Sequence, residues 1–228
     1  MSIGDKKVVS ITLSRGGSKG VPRKNLVDIC GVPLVGKIAQ IISKSKYIDE
    51  VWFSTDDEEI ADVAKSYGAK VIIRPSDLAT DSAKCEYSLE HFSNNVDYDI
   101  LCFVQTTSPL LLTEDLDAAI KKLVENGYEA VFSVTEETWV PRWIETESGV
   151  EPYEWDPKSR PRRQKMPSLL IENGAFYITT RRAFEKTKLR YSGKIGYYRM
   201  PLKRSFQIDT EEELDLIRNL INSGAHLD

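Results

Sequence analysis

The sequence has no apolar run approaching the roughly 20 residues that span a bilayer, and no basic start followed by an apolar signal core. Neither a membrane partner nor a secretory route is indicated. Cysteine is scarce: Cys30, Cys85 and Cys102 are odd in number, widely spaced and fit no metal-ligand pattern. Cys102 falls inside an apolar run and is expected as a core thiol. The two histidines, His91 and His226, lack any partner pattern and receive no role. Neither sign of charge dominates, since 31 basic and 35 acidic residues leave a formal charge of -4. A general nucleic-acid surface is therefore not indicated, and any anion-binding argument must rest on a local cluster. There is no internal repeat and no low-complexity segment. These absences leave a reduced, soluble, cytoplasmic protein as the expectation.

What is present is ordinary globular material, 41% hydrophobic and 29% charged over 228 residues. KVVSITL (7–13) reads as a buried, β-branched strand that ends at a Gly-rich loop. GVPLVGKIAQIISKSK then carries Leu34, Ile38, Ile41 and Ile42 at helical spacing. EVWFST (50–55) is a second strand, and Asp56 is expected to cap the helix after it, with acids in its first turn. Gly68 should stop that helix before the short strand KVIIR. Helix, the apolar strand DILCFVQ, a helix ending at Gly127 and the strand EAVFSVT follow. This alternation is the signature of βαβ units, so the fold class is α/β with a mostly parallel, doubly wound sheet.

The alternation fails over residues 136–167, which hold Trp139, Trp143, Trp155, five prolines and the basic run KSRPRRQK. A loop of that length in a compact domain is functional or an interface, and its Trp, Tyr and Arg suit a subunit contact. Beyond it come the strand GAFYITT, the helix RRAFEKTK, the strand YYRMP and a last helix with Leu214, Ile217, Leu220 and Ile221 on one face.

The most telling stretch is SRGGSKGVPRKNL (14–26), with Arg15, Lys19, Arg23 and Lys24 among three glycines and no acid before Asp28. Loops after the first strand of an open α/β sheet are favoured ligand sites. Glycines there let backbone N–H groups approach phosphate oxygens while the cations supply charge. The spacing is neither a Walker A loop nor Gly-x-Gly-x-x-Gly.

Together with four later blocks, this loop resembles the CMP-N-acylneuraminate synthetase family of cytidylyltransferases, which activate sialic acid and related acidic sugars. The blocks are FSTDDEEIADVAKSYGAKVIIRPSDLATDSA (53–83), QTTSPLL (105–111), ENGAFYIT (172–179) and QIDTEEELDL (207–216), in the family's order. They cover the chain apart from the 136–167 segment. The resemblance implies one Rossmann-like nucleotidyltransferase domain over residues 1–228, with 136–167 inserted as a dimerisation segment. It implies transfer of CMP from CTP to the anomeric hydroxyl of a sialic acid-type nonulosonate, with release of pyrophosphate. An eight-carbon octulosonate or amino-octulosonate acceptor is the alternative, and a non-catalytic nucleotide-binding module is a third reading.

By this resemblance Arg15, Ser18 and Lys19 cradle the triphosphate, and Lys24 lies near the α-phosphate and departing pyrophosphate. Asn25 and Arg74 match positions that contact the base. Gln105, Thr107 and Ser108 are implied at the acidic sugar, with Asn173 and Tyr177 lining its pocket. Asp209 matches a metal-binding aspartate for Mg²⁺, and Arg15, Lys24 and Asp209 form the implied catalytic set. Arg163 matches a basic residue that reaches the partner's sugar carboxylate in a homodimer. Arg23 has no motif counterpart and is expected as a solvated charge. The chain departs from the pattern at Gln207, where a second aspartate is common, at Thr106, where proline is usual, and near Leu111 and Leu112, where arginine is usual. Gln207 puts a two-metal arrangement in question.

Overall fold

The computed structural model describes residues 3–137, 141–166 and 168–224, with Arg163 by its backbone alone. Strands β1 (Val8–Leu13), β2 (Glu50–Thr55), β3 (Lys70–Ile73) and β4 (Ile100–Val104) alternate with helices α1 (Leu34–Ser43), α2 (Glu58–Ser66) and α3 (Cys85–Asn95). Then come α4 (Thr113–Glu125), β5 (Ala130–Glu137), β6 (Arg142–Thr146), β7 (Gly149–Tyr153), β8 (Leu169–Thr180), α5 (Arg181–Thr187), β9 (Ile195–Arg199) and α6 (Glu211–Asn222). Seven strands form one sheet in the order β3-β2-β1-β4-β8-β5-β9. Only β8 among them runs antiparallel to its neighbours, pairing with β4 and β5.

Alternation along β1 sends Val8 to one face of the sheet and Val9 and Ile11 to the other. The first face packs against α1, α2 and α4 through Val35, Ile38, Ile42, Ile60, Ala64, Leu116 and Ile120. The second packs against α3 and α5 through Leu89, Phe92 and Phe184. Helices thus cover both faces, as expected, and each fully buried aliphatic or Phe contributes about 1.5–3 kcal/mol. Helix α6 joins Val21, Ile29, Leu34 and Leu110 through Leu214 and Ile217, which pins the first loop under the end of the chain. Cys102 is fully buried in β4, and burial pushes its thiol well above the usual range.

Two expectations need correction here. Asp57, not Asp56, caps α2: its side chain accepts the Ile60 N–H, which frees Asp56 for the loop after β1. The 136–167 segment is also more regular than its sequence suggests. Strand β5 extends into it, β6 and β7 pair as a separate antiparallel hairpin, and Trp143 of β6 meets Trp155, just beyond β7, edge-on. Proline at position 152 and exposed apolar residues mask the strand alternation there.

Candidate functional site

Strand order reverses between β1 and β4, so their outgoing loops part and leave a crevice, the usual ligand position in open α/β sheets. A cavity of about 290 Å³ lies there. Its walls include Arg15, Ser18, Lys24 and Asn25 from the loop after β1, Arg74 and Cys85 beyond β3, and Gln105 and Thr107 after β4. A second cavity of about 530 Å³ adjoins it, lined by Glu172, Asn173, Gly174, Tyr177, Ser205 and Gln207. Gln105 lines both. Of the residues expected at the nucleotide, Arg15, Ser18, Lys24, Asn25 and Arg74 line the first cavity, and of those expected at the sugar, Asn173 and Tyr177 line the second; Thr107 lies on the first, and Lys19 and Ser108 line neither.

The loop after β1 is held from three sides. Asp56 accepts the Gly16 N–H at 3.0 Å, and Asn25 Nδ2 donates to the Arg15 carbonyl at 2.8 Å. Gly20 lies so near the Asp209 backbone that a Cβ there would stand 1.9 Å from its carbonyl oxygen, which excludes any side chain. Arg23 corrects the expectation of a solvated charge. Its backbone is left-handed, at φ 52°, which costs a non-glycine residue about 1–2 kcal/mol. Its guanidinium meets Asp57 and Glu59 at 2.5 Å each. The Arg23 hydrogen bond holds the Asp57 carboxyl below its ordinary range, and Asp57 in return raises Arg23. Arg23 thus fastens the loop to the first turn of α2 instead of facing a ligand.

Lys24 follows in a 3-10 turn, Lys24–Leu26. Its half-buried ammonium donates to the Ile208 carbonyl at 2.9 Å and to Asp209 Oδ1 at 2.8 Å. Two residues 185 positions apart are thereby joined at the cavity's edge. Across the mouth, Asp81 Oδ1 lies 2.6 Å from Arg15 Nη2 and its Oδ2 lies 2.6 Å from Lys19 Nζ. The Lys19 and Arg15 bonds hold the Asp81 carboxyl below its usual range. Sequence reasoning placed Asp81 inside a matching block but gave it no role; the only signal was an acid seven residues beyond Arg74.

Arg74 is buried, with Nη1 donating to Ser88 Oγ at 3.1 Å. Its Nε and Nη2 have no partner among the described residues, and burial lowers its pKa, opposed by Asp56. Unmatched buried guanidinium donors are costly, so the wall presents a fork with no acceptor supplied by the described residues.

In the second compartment, β8 is irregular where it meets Ser133. Ser133 Oγ accepts the Phe176 N–H at 3.0 Å, and the pairing with β5 shifts register there. Gly174 sits at φ 67°, and a Cβ on it would stand 2.1 Å from Gln207 Nε2. Gln207 Nε2 donates to the Asn173 carbonyl at 2.5 Å, and Asn173 Nδ2 donates to Ser205 Oγ at 2.9 Å. Tyr177 donates to Glu172 Oε2 at 2.8 Å, and burial with that carboxylate drives its hydroxyl pKa far up. Ser108 and Thr107 have buried hydroxyls without partners among the described residues, and Ser108 lines neither cavity. The Arg163 side chain, like Trp139, Pro167 and His226, lies outside the described residues.

A buried ion pair that the sequence did not announce positions this wall. Arg204 Nη2 meets Asp115 Oδ1 at 3.0 Å, and its Nη1 bonds the other carboxylate oxygen. Asp115 also accepts the Leu112 N–H at 3.0 Å and the Tyr198 hydroxyl at 3.1 Å. Burial, then Asp115, push the Tyr198 hydroxyl up to about 12. The pair locks the start of α4 to the segment that delivers Gln207 and Asp209.

A sequence profile described as Cytidylyltransferase matches residues 9–226. The chain belongs to the cytidylyltransferase family. It is 38% identical over 214 residues to the N-acylneuraminate cytidylyltransferase of Oncorhynchus mykiss, covering 91% of this chain and 49% of that protein. It is 31% identical to a pseudaminic acid cytidylyltransferase of Campylobacter jejuni, over 94% of this chain and 96% of that one. The chain spans about half the length of the N-acylneuraminate relatives it matches. In fold it is similar to CMP:2-keto-3-deoxy-manno-octonic acid synthetase complexed with CTP, at TM-score 0.72 and 19% identity, covering 96% of this chain and 99% of that one. The mostly parallel α/β architecture of this chain is thus shared with that neighbour. Among its described residues no helix is long and apolar enough to cross a membrane.

The same residues bear on a metal. No group of three or more His, Cys, Asp and Glu side chains is arranged to hold one among the described residues. Mg²⁺ needs only one or two protein carboxylates alongside phosphate oxygens and water. Asp209, largely exposed beside Lys24, fits that sparse donor set, whereas the Gln207 amide is committed to Asn173.

Proposed function

We propose that this chain transfers CMP from CTP to the anomeric hydroxyl of an acidic, sialic acid-type nonulosonate and releases pyrophosphate. The observation that carries this reading is the pair of compartments joined at Gln105, one cationic with the unmatched Arg74 fork, the other lined by Asn173, Tyr177 and Gln207. The relatives that match most of the chain are named for acids of this class.

In the transfer, the sugar oxygen bonds to the α-phosphorus as the bond to the β-phosphate bridge breaks and pyrophosphate departs. The hydroxyl proton passes to solvent. Such a displacement depends on alignment and on charge placed in advance where it develops. Arg15, Ser18 and Lys19 hold the triphosphate, and Lys24 meets the charge on the α-phosphate and leaving group. Asn25 and the Arg74 fork face cytosine, whose O2 and N3 accept hydrogen bonds. Gln105 and Thr107 orient the sugar at the boundary, and Asn173 and Tyr177 contact it from the second compartment. Asp209 would hold Mg²⁺ jointly with the triphosphate, where the ion neutralises developing charge.

The reading extends to the assembly. Trp143, Ile144, Val150 and Tyr153 of the hairpin are exposed, as are Leu169, Leu170 and Ile171 at the start of β8. A second copy covering this apolar face would make a homodimer, with Arg163 directed to the partner's sugar. A size-exclusion mass of one chain would sink the dimer. The cytoplasm, where CTP is plentiful, is the compartment that suits the reaction.

The deciding experiment measures pyrophosphate release from CTP and Mg²⁺ with neuraminic, legionaminic, pseudaminic and octulosonic acids. Turnover with a nine-carbon acid is expected. Preference for octulosonic acid would move the acceptor to eight carbons, and no release with any acid would leave a nucleotide-binding module.

A further inference from the structure

Cys85 is the first residue of α3 and an exposed free thiol, and it lines the cationic cavity beside Arg74. The transfer reaction has no use for a thiol there. Arg74 is 6% exposed and its Nε and Nη2 lack partners among the described residues, so the wall next to the sulfur carries a desolvated cation with no carboxylate bonded to it. Ser88, one turn along α3 from Cys85, takes the Arg74 Nη1 donor at 3.1 Å, which sets the guanidinium against the helix face that carries the sulfur. Asp81 and Asp209 are set against Arg15, Lys19 and Lys24, and Asp56, whose Oδ1 takes the Gly16 N–H, acts on Arg74 by its charge alone. The other cysteines differ. Cys102 is buried in the sheet, and Cys30 is exposed but lies outside the cavity wall, its sulfur 3.8 Å from the Arg218 carbonyl oxygen.

We propose that Cys85 is a thiol–disulfide exchange site for small disulfides of carboxylate-bearing thiols, and that the half it retains closes the nucleotide cleft. The closure rests on the reading that this cleft takes CTP. In the exchange, Cys85 loses its proton to solvent and its sulfur attacks one sulfur of the reagent. A new S–S bond forms as the reagent's own S–S bond breaks, and the second half leaves as a thiolate. Cys85 is oxidised, the departing half is reduced, and no other oxidant is needed. The cations draw the anionic reagent in, and an added thiol reverses the step.

The test uses the whole chain with Cys30→Ser, a change outside the site, and dithiobis(nitrobenzoate) as the anionic probe. Released nitrothiobenzoate gives the rate, and peptide mass locates the label at Cys85. With CTP at a hundred times its Kd, occupancy should slow labelling roughly a hundredfold. Relative to the ratio of the same two probes on free glutathione, which sets aside their different leaving groups, the anionic probe should gain about tenfold or more over cationic cystamine at low salt. Labelled protein should bind CTP at least about tenfold more weakly by calorimetry, a shift of roughly 1.4 kcal/mol, and a thiol reductant should restore it. Treated Cys85→Ser should keep whatever affinity it had before treatment. Labelling indifferent to CTP that calorimetry shows to be bound, or labelled protein with unchanged affinity, overturns the inference and leaves the CTP reading standing. An inert Cys85, or a probe ratio no greater than that on glutathione, overturns it as well. Failure of untreated protein to bind CTP removes the CTP reading and the closure with it.

Discussion

The Asp81 carboxylate lies 2.6 Å from the Arg15 guanidinium, and its second oxygen meets Lys19 at the same distance. One acid from the segment beyond β3 thus occupies two cations of the loop after β1, where the triphosphate is proposed to sit. An incoming triphosphate must displace it. Asp81→Asn removes that competition at an exposed position, so KM for CTP should fall by about two- to fivefold, the scale of an exposed ion pair. Steady-state kinetics with CTP varied at saturating sugar acid checks this. A KM that stays level or climbs would mean that Asp81 orders the cations instead of competing for them.

The Lys24–Asp209 contact ties the first loop to the segment before α6. If Lys24 meets charge that builds up in the transition state, Lys24→Ala should lower kcat by roughly 10²–10³, the loss seen for a single preorganised donor. The fold should persist, because the pair sits at a cavity edge and the core clusters do not include it. Circular dichroism with single-turnover kinetics separates the two effects. Turnover near the parent value would take Lys24 out of the mechanism.

What could be read in advance follows a physical divide. Strands and helices with clear periods, such as β1, β4 and α6, and the glycine stops at 68 and 127, are encoded locally. The cationic loop was legible because its residue types and its place after β1 both suit anions. Arg23 was misjudged because its partners, Asp57 and Glu59, lie more than thirty residues on and meet it only when β2 docks beside β1. The same distance hid the Arg204–Asp115 lock and the Asp81 bridge. The β6–β7 hairpin was missed because both of its faces carry exposed residues, which erases the in-out alternation that marks a half-buried strand.

Glu213 makes the segment after Asp209 sensitive to acid. Its carboxylate accepts the N–H of Asp209 at 2.7 Å and of Thr210 at 2.8 Å, while Thr210 Oγ1 accepts the Glu213 N–H. The Asp209 bond, ahead of an opposing burial effect, holds the Glu213 carboxyl below its ordinary value. The folded state therefore binds this proton less readily than the unfolded chain. Its contribution, about 1 kcal/mol for a cap, is complete above the unfolded value of about 4.3 and fades as pH falls through the folded one. Urea unfolding at neutral pH and in mild acid should show a steeper acid loss for the parent than for Glu213→Gln. Parallel losses in the two proteins would exclude Glu213 as the source.

Arg74 offers the sharpest trade between stability and binding. Ser88 takes one of its donors while Nε and Nη2 are buried without partners among the described residues. Arg74→Met keeps most of the stem's volume and removes the desolvated charge, so the ligand-free variant should unfold at an equal or higher denaturant midpoint. If the fork meets cytosine as proposed, the same change removes donors for its O2 and N3, and a lost bidentate contact of this kind is worth about 1–3 kcal/mol of base discrimination. Uracil carries a hydrogen at N3, so the parent should prefer CTP to UTP and the variant should lose most of that preference. Calorimetry with both nucleotides, beside urea unfolding, reads the two halves together. A variant that is less stable yet binds CTP as before would show that the buried fork serves the fold and that cytosine is read elsewhere.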